Sequence, residues 1–298
     1  MSNLLFYIVN VFAEKKYTGN PLTVIRGGQD LTTEKMQALA KEMNSANTVF
    51  LLNEEPCDDG YKLRIFTPET ELPFATYPAL GASYIIATEI IRRPVNRIQI
   101  NLPSGHVSIC LRYKPYAPNE IEIVWMQQRP PLFGQTFERE HMAKLLQLAE
   151  KDIDNDFPIQ EVSTGLPFII VPLKGLKAVQ QAQIAKRHYF ELIKTTQAKA
   201  VLIFSAQTYD LHHDLNVRVF AQYYGIAEDP ATGSANGCLA AYLYEYNYFQ
   251  QHPLFLRAEQ GYEIDRPSLL LLRVEEKDST LNVAVGGQVL LTARGEFV

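Results

Sequence analysis

Two stretches of this sequence set small and polar residues at the start of an Ala-rich helical run. The first reads Leu72-Pro73-Phe74-Ala75-Thr76-Tyr77-Pro78-Ala79-Leu80-Gly81. The second reads Glu228-Asp229-Pro230-Ala231-Thr232-Gly233-Ser234-Ala235-Asn236-Gly237. Pro78 suits a first helical position, Thr232 or Ser234 can cap the second helix, and Gly81, Gly233 and Gly237 allow close backbone approach. A helix start offers backbone N–H groups with no intrahelical partner and a partial positive charge. Two such starts facing one cleft make a receptor for a small carboxylate. Asp229 would then bring a carboxylate, and Tyr77 a phenol, beside that ligand.

Other chemically able residues carry less. Glu69 and Glu71 are expected to be structural or solvated, as most glutamates are. Cys238 falls inside the second helix and reads as an inert core thiol. His212-His213-Asp214 lacks a metal-ligand spacing and reads as a solvated loop.

The whole-chain balance narrows the function classes. The 298 residues are 47% hydrophobic and 20% charged, with a net charge of -5 and a pI near 5.7. That is ordinary globular composition, and it lacks the basic excess of a nucleic-acid binder. Cys57, Cys110 and Cys238 are odd in number and none forms a CxxC pair. Reduced cytoplasmic thiols are therefore expected rather than a disulfide or zinc framework. The N-terminal stretch lacks a basic segment followed by a small-residue cleavage site. No run approaches the ~18 apolar residues of a membrane helix. These readings predict a cytoplasmic protein without membrane or nucleic-acid partners.

The elements that would position the two helix starts form a weak repeat. Strands are predicted over 4–11, 22–25, 48–52, 62–66, 98–102, 105–113 and 121–126, with helices over 30–44 and 78–89. A second set follows: helices over 138–148 and 234–246, and strands over 168–172, 200–204, 217–220, 269–274, 281–285 and 288–291. Thr18-Gly19-Asn20-Pro21 resembles Thr164-Gly165-Leu166-Pro167, and Arg64-Ile65-Phe66 resembles Arg218-Val219-Phe220. Ala75-Thr76 resembles Ala231-Thr232, and Ser104-Gly105-His106 resembles Gln260-Gly261-Tyr262. Four matches in one order predict two copies of a unit, each a curved, mainly antiparallel sheet wrapped around one central helix. The expected lobes are residues 1–127 and 128–298, with a Pro-rich crossover at 128–133 and a last strand able to return to the first lobe.

The same motifs resemble those of the PhzF-like family. The run from Arg64 to Ala75 is similar to its strand, turn and helix start, and Gly19-Asn20-Pro21 to its early turn. Glu228 to Ser234 resembles its second-half signature, and Gln260-Gly261 with Arg266-Pro267-Ser268 its C-terminal elements. The resemblance spans nearly the whole chain. It implies an α+β, two-lobed diaminopimelate-epimerase fold, a homodimer, and a proton shift on a small carboxylate substrate without metal or organic cofactor. In phenazine-pathway members the substrate it implies is a dihydro-hydroxyanthranilate.

The resemblance also locates departures. Its catalytic glutamate falls on Asn47, which exchanges no proton near neutral pH. Its histidine falls on Tyr77, a phenol with an ordinary pKa of about 10. Asp229 and Ser234 match. The implied site is therefore Asp229 for proton transfer, Tyr77 and Asn47 beside it, and Thr76, Thr232, Gly233 and Ser234 binding substrate. Two alternatives use the same residues. One is a catalytically silent small-molecule binder. The other is a changed reaction, such as a cyclisation or hydration, with Tyr77 as the acid.

Overall fold

A computed structural model of the chain describes residues 4–72, 77–278 and 280–298. The first elements in chain order are β1 (Leu5–Val11), β2 (Asn20–Arg26), α1 (Thr33–Met43), β3 (Thr48–Leu51), β4 (Tyr61–Phe66), β5 (Glu71–Leu72) and α2 (Tyr77–Ile85). A π-helical segment, Ile86–Ile91, continues α2, followed by β6 (Arg97–Leu102), β7 (Gly105–Lys114) and β8 (Ala117–Gln127). Next are β9 (Leu132–Phe137), α3 (Arg139–Leu146), β10 (Ile159–Ser163), β11 (Pro167–Pro172), α4 (Leu176–Gln181), α5 (Lys186–Leu192), β12 (Val201–Ser205) and β13 (Leu215–Ala221). The chain closes with β14 (Ile226–Asp229), α6 (Gly233–Glu245), β15 (Leu254–Gln260), β16 (Ser268–Lys277), β17 (Thr280–Gly287) and β18 (Val289–Glu296).

Two compact units result. One comprises residues 1–127 with 286–298, and the other residues 128–285. Each has the same strand-pairing scheme. In the first unit β1–β2 is antiparallel, β2–β3 parallel, β3–β4 and β4–β5 antiparallel, β4–β6 parallel and β6–β7 antiparallel. The second unit repeats this sequence as β10–β11, β11–β12, β12–β13, β13–β14, β13–β15 and β15–β16. An outer antiparallel partner completes each set: β18 on β1, and β9 on β10. The fold is thus α+β with two pseudo-symmetric lobes.

Each unit encloses one helix. All described α2 residues except Tyr84 are buried, as are Gly233 to Leu243 of α6. A helix apolar on every side has to be enclosed, and small residues let the strands close on it. A methyl group added at Gly81 would meet Leu22 Cδ2 at 2.5 Å and Val9 and Val11 Cγ2 at 3.1 Å. A second layer covers the outside of each sheet. Met36 and Ala40 of α1 pack with Ile25, Phe50 and Phe66. Met142, Leu145 and Leu146 of α3 pack with Tyr189 and Ile193 beside Ile169, Val171, Val201 and Ile203.

The repeat extends to side-chain level. Arg64 on β4 makes a two-point ion pair with Glu71 on β5, at 2.7 and 2.6 Å. Arg218 on β13 does the same with Glu228 on β14, at 2.9 and 2.7 Å. Each guanidinium also lies over the ring two residues on, Phe66 at 5.1 Å and Phe220 at 4.8 Å. Planar forks of this kind fix geometry as well as charge. Here they tie the strand before each central helix to its neighbour.

Some local structure departs from the sequence pattern. The helix expected over 78–89 is α-helical to Ile85 and π-helical to Ile91. β10, α4, α5 and β15 occupy stretches for which the pattern gives no element. β10 and β15 bury charged residues, Glu161 and Glu259, which break the apolar alternation that marks a strand. α4 and α5 span 6 and 7 residues, too short to show a helical period.

Candidate active site

At the first helix start, Tyr77 opens α2 and is buried. Asn47, just ahead of β3, is 9% exposed. Its backbone carbonyl accepts from Thr23 N at 3.2 Å, which anchors it to β2. Its Nδ2 donates to the Tyr77 hydroxyl oxygen at 2.7 Å. The two positions at which the family resemblance fails are therefore in direct contact. Because the Tyr77 oxygen accepts that bond, its own O–H hydrogen points elsewhere. The Asn47 Oδ1 is buried and has no hydrogen-bond partner among the described residues. Thr76, also expected at this site, lies outside the described residues.

The second helix start is more fully connected. β14 ends at Asp229, and Gly233 opens α6. Thr232 occupies the N-cap position, but its side chain makes no capping bond. That corrects the capping role expected of it. Instead Thr232 Oγ1 donates to Asp229 Oδ2 at 2.7 Å, because a carboxylate three residues back is the stronger acceptor. Ser234 is buried in the first turn, next to Gly233. First-turn amides have no helical partner, so Gly233 and Ser234 present the donors expected for a carboxylate.

Gln260, at the end of β15, organises this start. It is fully buried. Its Oε1 accepts from Thr232 N at 3.1 Å and from Asn236 Nδ2 at 2.8 Å. Its Nε2 donates to Asp229 O at 2.7 Å and to Thr232 Oγ1 at 3.1 Å. Gly261, at φ +80, sets its backbone against Pro230, where an added methyl would lie 2.7 Å from the Pro230 carbonyl. Neither Gln260 nor Asn236 stood out from the sequence as a site residue. The signals were that Gln260-Gly261 repeats the turn at Ser104-Gly105 and resembles a C-terminal element of the family, neither of which points to Asp229.

The remaining chemical groups resolve into structural roles. Glu71 is bound by Arg64, whose hydrogen bonds hold its carboxyl below the usual glutamate range. Glu69 is exposed. Cys238 is fully buried with its thiol 3.5 Å from Leu166 O, and burial pushes its pKa up to about 11. The His212–Asp214 loop is exposed at His212, as its polar composition suggests, but turns inward at His213. His213 is 5% exposed at the side chain and its Nδ1 lies 2.8 Å from Glu259 Oε2. Glu259 is fully buried, and this loop wraps over it to supply donors: Tyr209 N at 2.5 Å, Asp210 N at 3.3 Å and Asn216 Nδ2 at 3.1 Å. No group of three or more His, Cys, Asp or Glu among the described residues is arranged to hold a metal ion. No described helix is long and apolar enough to cross a membrane.

Comparison with known proteins agrees with this architecture. Residues 9–295 match the PhzC-PhzF family, described as phenazine biosynthesis-like proteins. An uncharacterized isomerase of Pasteurella multocida is 32% identical, across 98% of this chain and 93% of that protein. The trans-2,3-dihydro-3-hydroxyanthranilate isomerase of Pseudomonas chlororaphis is 30% identical, across 98% and 99% respectively. The crystal structure of a PhzF-family phenazine biosynthesis protein of Bacillus anthracis superposes with a TM-score of 0.89 at 25% identity, over the full length of both chains. Paired lobes of one topology, each around a buried helix, and a match over nearly every residue identify the chain as a member of the PhzC-PhzF family, with the diaminopimelate-epimerase type of fold.

Proposed function

We propose that this protein is an isomerase that moves a proton within a small carboxylic acid, with Asp229 as the group that takes and returns it. The observation that supports this most is the hydrogen bond from Thr232 to the Asp229 carboxylate at the start of α6. Both the donor and the helix start favour the charged form, so Asp229 rests ready to accept a proton. In the reading, Asp229 removes hydrogen from an sp³ carbon beside a π system conjugated with the substrate carboxylate. The C–H electron pair moves into that system, and the double bond shifts. While Asp229 holds that proton it can exchange with solvent; a proton is then returned to a distal carbon, so none is gained or lost overall. Charge that develops on the substrate carboxylate is met by the amides of Gly233 and Ser234.

In the reading, Tyr77, Asn47 and Ser234 orient the substrate. Tyr77 brings a phenol to that task, with Asn47 Nδ2 donating to its oxygen at 2.7 Å. The reading includes no resident metal or organic cofactor, a cytoplasmic setting for three free cysteines, and a homodimer. Relatives named as isomerases, one on trans-2,3-dihydro-3-hydroxyanthranilate, make cyclic dihydro acids the first substrates to offer.

The second reading, a binder that has lost catalysis, draws on one observation. An amide and a phenol stand where the resemblance places a glutamate and a histidine, and General acid–base catalysis is typically worth ~10²- to 10⁴-fold. Incubation with dihydro-hydroxyanthranilate-like acids in deuterated water separates the two. Deuterium incorporated at a substrate carbon, and absent with Asp229→Asn, is the expected result. Ligand binding by calorimetry with no incorporation would replace the isomerase with the binder.

A further inference from the structure

We propose that Gln260 is the positioning residue of this site: it fixes the direction of the Thr232 hydroxyl, so that the hydroxyl's one hydrogen is committed to Asp229. A side-chain amide can be turned end for end without much change in shape, but two backbone groups remove that freedom here. Thr232 N–H can only donate, and it meets one end of the amide at 3.1 Å. Asp229 C=O can only accept, and it meets the other at 2.7 Å. The first end must therefore be Oε1 and the second Nε2. Asn236 Nδ2, donating to the first end at 2.8 Å, fits the same assignment.

With that orientation set, the rest follows from counting hydrogens. A hydroxyl has one hydrogen and accepts with its lone pairs. Thr232 Oγ1 receives a hydrogen from Gln260 Nε2 at 3.1 Å. Its own hydrogen is then directed to Asp229 Oδ2 at 2.7 Å. The reverse arrangement, with Asp229 protonated and donating to Thr232, leaves that threonine hydrogen without its acceptor. The network therefore favours Asp229 as an anion, and does so through a residue that touches neither the Asp229 carboxylate nor the substrate. Gln260 uses both donors and both acceptor positions in these four bonds, and it is fully buried. Its order is transmitted along a chain of hydrogen bonds, each polarising the next.

The claim deepens the role given to Asp229 above, but its test does not need turnover. The Asp229 carboxyl can be followed by carbon NMR in protein labelled at aspartate, assigned with Asp229→Asn. Thr232→Val should raise its titration midpoint by roughly one unit, and Thr232→Ser should restore it. Gln260→Met should raise it too, by less. If Gln260 acts through Thr232, Gln260→Met adds nothing once Thr232→Val is present. An equal effect of Gln260→Met with and without the threonine hydroxyl, or no effect at all, overturns the proposal. Should Gln260→Met not fold, the Gln260 side-chain amide signals of the native protein serve instead. Thr232→Val should release one of its two hydrogens to faster solvent exchange, and unchanged exchange of both would overturn the proposal. Failure of every substrate to exchange deuterium would sink the isomerase reading and leave these outcomes standing.

Discussion

The two repeated ion pairs offer a controlled comparison of burial, because the partners, geometry and strand setting are alike. Glu71→Gln and Glu228→Gln each remove one carboxylate charge and keep the side-chain shape. At the first pair the side chains of Arg64 and Glu71 are 23% and 32% exposed. Water can replace much of what is lost, so the cost should be under about 1 kcal/mol. At the second pair both side chains are 9% exposed. There the new amide oxygen could accept at most one of the two guanidinium bonds, and Arg218 would keep its bonds to the Val179 and Ala182 carbonyls, at 2.7 and 2.9 Å, with its paired charge removed. Breaking a buried pair costs about 3–5 kcal/mol. The retained carbonyl bonds argue for the low end, about 3 kcal/mol. Urea denaturation at pH 7, with hydrogen exchange to locate the unit affected, measures both. The pH dependence supplies a sign as well. Arg64 depresses the Glu71 carboxyl, so its contribution is present above the unfolded glutamate value of about 4.3 and is lost as pH falls through the folded value. The gap between the native protein and Glu71→Gln should therefore close in acid. Equal costs for the two substitutions at pH 7, or a larger cost at Glu71, would refute the argument from burial.

Three further outcomes are expected. Iodoacetamide should label the exposed Cys57 and Cys110 in the native protein and reach Cys238 only after denaturation, since burial holds that thiol protonated to about 11; mass spectrometry of the labelled peptides reads this out. Gly81→Ala should cost about 1–3 kcal/mol, because the added methyl has Leu22 Cδ2 at 2.5 Å and side chains of β1 at 3.1 Å; thermal denaturation would show it, and an unchanged melting temperature would mean the helix is less tightly enclosed than described. Tyr77→Phe should cost about 1–3 kcal/mol, because it strands a buried Asn47 amide that already has an unpaired oxygen; restored stability in Tyr77→Phe combined with Asn47→Leu would tie that loss to the pair.

The duplicated architecture was legible because local rules demand particular residues at its corners. A turn that needs positive φ draws glycine, and both Gly105 and Gly261 have it, at φ +122 and +80. The arginines that repeat in sequence, Arg64 and Arg218, turn out to hold equivalent carboxylates. The two helix starts were legible for the same reason. What binds Asp229 was not. Gln260 lies 31 residues beyond it in sequence, and no periodicity or spacing links the two. The His213–Glu259 contact escaped likewise: its 46-residue separation hides the carboxylate that draws the loop inward. His213 looks as solvated as the exposed His212 beside it until its own burial is known.

The first unit is also discontinuous, which sets the order in which the protein can mature on the ribosome. β18 flanks β1 opposite β2, yet almost the whole chain is synthesised between them. Residues 128–285 supply their unit from one continuous stretch of chain, whereas the N-terminal portion of the first unit does not. Throughout elongation the segment Leu-Phe-Tyr-Ile-Val-Asn-Val of β1 has one side without its partner. An apolar edge of that kind invites pairing with another nascent chain. The unit whose synthesis begins first is therefore completed only when residues 286–298 have been made.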